Sequence, residues 1–155
     1  MSQVFLQVRL LPVISVICLT AFGLSACGSD QRESNTTEQE IAAKAQSWQQ
    51  RAITDYTLVY REFCFCPDGE ITVVVRDGQI DRASRETRNG RTNPVSNPQT
   101  IDGLFATVLR AQREADELTV RFDDDFDYPD SFTIDWFRSA VDDEYEVSVL
   151  RFTQQ

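Results

Sequence analysis

The chain has 155 residues and a formal charge of −10, from 25 acidic against 15 basic side chains, with no histidine and 41% hydrophobic residues. That charge argues against nucleic-acid binding, which needs a basic patch, and the missing imidazole removes every Ser-His-Asp or Cys-His arrangement. The length suits one domain with a real core.

The N-terminus carries a single basic residue, Arg9, then an apolar run from Leu10 to Leu24 and small residues before Cys27. Residues 1–26 therefore read as an export signal. Leu24-Ser25-Ala26-Cys27 resembles the lipobox of bacterial lipoproteins. The resemblance implies cleavage before Cys27, a diacylglyceryl group on its sulfur and an acylated amine. Each buried methylene contributes about 0.8 kcal/mol, so two or three chains hold where one would not. The competing reading is an uncleaved transmembrane helix of about twenty residues. The wholly polar sequence after Cys27 speaks against it. Gly28, where an Asp would imply retention at the inner membrane, implies an outer membrane facing the periplasm in a Gram-negative cell. In any other cell it implies the outer face of the cytoplasmic membrane. Loss of the signal leaves Cys64 and Cys66 as the thiols of the mature chain, in an oxidising compartment.

Residues 27–37 are expected to be a lipidated cysteine with a flexible tether, since Gly28 to Glu40 contains no apolar residue. A single α+β domain is expected over 38–155. Thr37 and Glu40 have capping-box spacing, and Ile41, Ala45, Trp48 and Ala52 recur with helical period. A helix near 38–53 follows, with Trp48 as a core anchor. Asp55–Cys66 is aromatic and β-branched, a strand. Asp77-Gly78 sits between two further strands within 70–85, a hairpin signal. The polar segment 86–99 reads as a loop, and Arg85, Arg88 and Arg91 at its start read as solvated charge. Thr100 is placed to cap a second helix that presents Ile101, Leu104, Phe105, Val108 and Leu109, ending near Ala115. Alternation then predicts strands over 118–122, 131–137 and 145–151. The expected architecture is an antiparallel sheet of about six strands with both helices on one face, in the order α-βββ-α-βββ. The similar halves suggest a duplicated αβββ unit.

Cys64 and Cys66 share a face if the strand stays extended, with Cα atoms about 6.6 Å apart, so a disulfide between them needs a kink. Pro67-Asp68-Gly69 supplies turn chemistry beside it. The alternative is a thiol-redox or soft-metal site at the same pair, although no C-x-x-C helix start and no nearby Lys or His supports a thiolate. Asp123, Asp125, Asp127 and Asp130 are weak Ca²⁺ candidates. They fail the EF-hand pattern, because Tyr128 stands at the glycine position and Ile134 at the final glutamate. The two acidic loops, 123–130 and 142–144, should lie at opposite ends of a meander. No cofactor is expected, and with Lys44 as the only lysine no catalytic constellation is recognisable.

Trp48, Asp55-Tyr56, Cys64-Phe65-Cys66, Val75-Arg76-Asp77-Gly78, Ile101-Asp102-Gly103-Leu104-Phe105, Tyr128-Pro129, Ile134-Asp135 and Asp142-Asp143-Glu144 occur in this order. The series resembles a family of bacterial exported proteins and lipoproteins, a domain of unknown function. That family commonly places Gly before the Tyr-Pro, where this chain has Asp127. The expectation is a non-enzymatic envelope lipoprotein, held to the membrane through Cys27, whose domain engages an unknown protein or small-molecule partner. The runner-up centres on Cys64 and Cys66.

Overall fold

The structure, a computed structural model, describes residues 31–155, with side chains from residue 38 onward. The expected signal peptide over 1–26, the expected lipidation site Cys27 and the start of the expected tether lie outside the described residues. Among the described residues no helix is long and apolar enough to cross a membrane.

Helix α1 spans Gln31–Gln50, so it begins inside the segment expected as a tether, and Thr37 lies within it rather than capping it. Residues 31–50 contain no proline or glycine and are rich in Gln and Glu, good helix formers, so nothing in the sequence stops the helix short. It ends where Ala52 turns left-handed, at φ 50°. Strands β1 (Tyr56–Phe63), β2 (Glu70–Arg76) and β3 (Gln79–Glu86) follow as a meander. Asp77 and Gly78 both have positive φ, 49° and 73°, as a type I′ hairpin requires. The segment read as a loop contains a short seventh strand, β4 (Thr92–Pro94), paired to β3. Pro94 is tolerated there because β4 is an edge.

Helix α2 spans Ile101–Glu114. Thr100 caps it, its side chain accepting from Gly103 N at 3.1 Å. Two core tyrosines of β1 fix its entry: Tyr60 Oη accepts from Gln99 N at 2.9 Å and Tyr56 Oη from Ile101 N at 3.2 Å. Burial raises both phenols, Tyr60 to about 12, against the opposing pull of the backbone bond from Gln99. Both therefore stay neutral at any physiological pH. Strands β5 (Glu117–Phe122), β6 (Pro129–Asp135) and β7 (Tyr145–Gln154) complete the chain.

The strands form one antiparallel sheet in the order β4-β3-β2-β1-β7-β6-β5. One core unites Ile41 and Trp48 of α1, Leu104, Phe105 and Val108 of α2, and inward residues such as Leu58, Val73, Ile134 and Val147. Both helices thus cover the same face. Within the sheet the first three strands run outward from the centre as β1, β2, β3, whereas the last three run outward as β7, β6, β5. Since β1 and β7 are antiparallel, a rotation relating the halves would put the helices on opposite faces. The suggested αβββ duplication therefore has no counterpart in the topology.

Lys44, the single lysine, acts with α1's neighbouring side chains as a clamp. Asp127, in the β5–β6 turn, accepts from Lys44 Nζ at 2.5 Å, Ser47 Oγ at 2.6 Å and Arg51 Nη2 at 3.3 Å. Its φ of 66° is the conformation glycine adopts freely, and Asp tolerates it. The turn is thus kept while a carboxylate is gained. The Lys44 and Ser47 hydrogen bonds lower its pKa from 3.8 to about 2. A depressed carboxylate stabilises above its unfolded value and loses that contribution as pH falls through its folded value. Asp127→Asn should accordingly cost about 1–2 kcal/mol at pH 7. The variant and the parent should converge as pH drops from about 4 to 2, read by thermal midpoints across that range.

Candidate functional site

The site lies at the end of the helix-covered face where β1 finishes. There the chain leaves the sheet at Phe63 and contracts: Cys66 N donates to Cys64 O at 2.7 Å, an i to i+2 turn. The Cα atoms of Cys64 and Cys66 stand 5.1 Å apart and their sulfurs are bonded. The strand expected to reach Cys66 therefore stops three residues short, since the Cα spacing of 5.1 Å in the bonded pair is shorter than the roughly 6.6 Å of an extended strand. Phe65, between them, is 99% exposed.

Gly69 returns the chain to β2 with φ 144°, and a Cβ there would sit 2.4 Å from the Glu86 carbonyl oxygen. Gly69→Ala should cost at least about 2 kcal/mol through combined strain and clash. At Gly78, also at positive φ but with open space around it, alanine should cost about 1 kcal/mol. Paired urea titrations of the two variants test that ranking.

Behind the disulfide a groove of about 530 Å³ opens between α2, the segment before it, and the β6–β7 loop. Its floor is a buried ion pair. Glu62 continues the inward row Tyr56, Leu58, Tyr60 of β1, and Arg85 is the inward residue of β3 level with Tyr60 through Ile71. Arg85 Nη2 donates to Glu62 Oε2 at 3.1 Å, and Tyr145 Oη donates to Glu62 Oε1 at 2.9 Å. Burial, and then the Glu62 charge and hydrogen bond, push the Tyr145 phenol far above its usual range, so it remains a donor. Arg85 is only 9% exposed, and its Nη1 is buried with no hydrogen-bond partner. Such an orphan in a cleft wall is uncommon in folded proteins. On the opposite wall Arg110 lies 4.6 Å over the Trp136 ring. Asp143 Oδ2 accepts from Phe137 N at 2.7 Å while its Oδ1 is buried and unpartnered. The lining holds four carboxylates (Glu62, Asp142, Asp143, Glu144) against two guanidiniums (Arg85, Arg110).

The expected basic cluster is dispersed. Arg85 is buried on the sheet rather than solvated, Arg88 pairs with Asp68 at 2.6 Å on the surface, and Arg91 is exposed. Arg85 departs from expectation because it occupies an inward strand position with a carboxylate facing it. The four aspartates weighed for Ca²⁺ are spread over separate tasks. Asp123 Oδ1 accepts from Asp125 N and Phe126 N, closing its own turn, Asp127 clamps α1, and Asp130 lies on β6. The antiparallel order puts this turn and the Asp142–Glu144 loop at opposite ends of the sheet. Glu62 and Arg85 were the residues that composition alone hid. For Glu62 the signal is parity with Tyr56, Leu58 and Tyr60, whereas for Arg85 a register shift in the β2–β3 pairing breaks the period and leaves only Ala83 on its side.

Fold and site together define a small two-layer α+β domain with a polar, net acidic cleft edged by a C-x-C disulfide loop. The chain belongs to the family of unknown function DUF6174, whose model matches residues 40–154. Neither a curated protein nor a solved structure matches it.

Proposed function

We propose that the protein is a lipid-anchored, non-catalytic binding module of a bacterial cell envelope, and that the groove over Glu62 and Arg85 receives a positively charged ligand or partner segment. The observation that carries this reading is the groove's composition: an excess of carboxylates, an acceptor at Asp143 without a partner, and an aromatic wall at Trp136. Acidic clefts focus field lines and raise the local concentration of cations. The Leu24–Cys27 signature supports the anchor, and the absence of histidine supports a role without general base catalysis by imidazole.

Two measurements test it. Trp136 lines the groove, so trilysine should change the intrinsic fluorescence in a salt-sensitive manner while triglutamate does not. Trp136→Phe should silence that response. No response to trilysine, or an equal response to both peptides, would remove the cationic ligand from the proposal. For the anchor, the parent should incorporate labelled palmitate and fractionate with membranes, and Cys27→Ser should do neither.

A further inference from the structure

Glu62, Cys64 and Cys66 form the one cluster of three metal-ligating groups found among the described residues, with a Glu62 carboxylate oxygen and both sulfurs within 4.8 Å of one another. Glu62 is already oriented, by Arg85 on one oxygen and Tyr145 on the other. Each carboxylate oxygen offers a second lone pair, so the group can be held and still ligate. Such outer partners are what fix ligands in natural metal centres.

We infer that opening the Cys64–Cys66 bond turns this cluster into a three-ligand site for a thiophilic divalent cation of the zinc–cadmium class. Two thiolates one residue apart on a tight turn can chelate, because a Cα spacing of 5.1 Å leaves both sulfurs within reach of one ion at about 2.3 Å. Thiolate softness selects against Ca²⁺ and Mg²⁺. Three protein ligands leave the fourth tetrahedral position to water or to a donor in the groove, which these three residues also line. The Arg85 charge opposes a cation here, and the carboxylates of Asp142, Asp143 and Glu144 around the same groove favour it.

The chemistry balances with a dithiol reductant. Its two thiols become a disulfide, two electrons and two protons pass to the Cys64–Cys66 sulfurs, and metal binding then releases those two protons to solvent. The metal site shares Glu62 and one groove with the proposed cation site, but trilysine is offered to the oxidised protein and metal to the reduced one, so the two readings succeed or fail separately.

The test is Cd²⁺ titration of the reduced full chain in detergent, followed by thiolate-to-metal charge-transfer absorption. A Cys64→Ser/Cys66→Ser variant subtracts any signal from other cysteines. One Cd²⁺ per chain is expected in the reduced parent and none above that background in the oxidised protein. Glu62→Gln should weaken binding about tenfold or more, the range that loss of an orienting partner already produces. Glu62→Asp keeps a charge facing Arg85 while shortening the reach. It should weaken binding severalfold even if Glu62→Gln proves misfolded by circular dichroism. Unchanged affinity in the folded Glu62 variants, one metal shared between two chains, or a parent no better than the serine variant would each overturn the inference.

Discussion

Arg85→Met should destabilise the domain by about 3–5 kcal/mol, because it strands the Glu62 carboxylate in a site that is only 12% exposed. The double variant Glu62→Met/Arg85→Met should lie within about 1 kcal/mol of the parent, since hydrophobic replacement of both partners removes the desolvation cost along with the attraction. Tyr145 then loses its acceptor, but its hydroxyl lies at the groove and water can replace Glu62. Urea unfolding of the two single variants and the double variant closes the cycle. A single-variant loss below about 1 kcal/mol would mean that water already solvates the pair. The ion pair is then a feature kept for the groove rather than for the fold, since an apolar pair would hold the sheet as well.

Trp48→Ala should be comparably severe, about 3–5 kcal/mol. The indole is 4% exposed and meets Tyr56, Tyr128 and Phe152 edge-on at centroid separations of 5.9, 6.3 and 5.7 Å. Ile41 is the only other fully buried side chain among the described side chains of α1. Losing Trp48 therefore removes most of what docks that helix, and the Asp127 clamp is too exposed to hold it alone. The expected signature is a loss of helical circular dichroism before the sheet melts. A single cooperative transition with an unchanged midpoint would contradict it. Trp48→Phe, which retains an aromatic edge, should recover more than half of the loss.

Local patterns carried much of the fold. The α2 boundaries followed from Thr100 and the Ile101–Val108 spacing, and the β2–β3 hairpin from Asp77-Gly78, because caps and left-handed turns depend on a few adjacent residues. The long-range arrangement was not legible. Nothing in the composition of β7 says that it slots beside β1, and β4 is too short and polar to stand out from a loop. The α1 start was misplaced because helix propensity over 31–37 competed with a polar composition that reads as disorder. At the site, Cys64 and Cys66 drew attention through their type. Glu62 did not, because a charged residue in a strand reads as outward unless the parity of its neighbours is followed, and Arg85 stood out only as part of a basic cluster that reads as solvated charge.

The position of β7 has a consequence for biogenesis. Strands β1–β4 and β5–β6 are two ribbons that share no pairing of their own; β7, the last to be synthesised, bonds to β1 on one side and β6 on the other. Until Tyr145–Gln154 emerges, both ribbons end in unpaired, centrally placed edges, the kind that template misassociation. Closure of the sheet must therefore await synthesis of β7, and a chain truncated before residue 145 should accumulate as aggregate instead of as a smaller soluble domain.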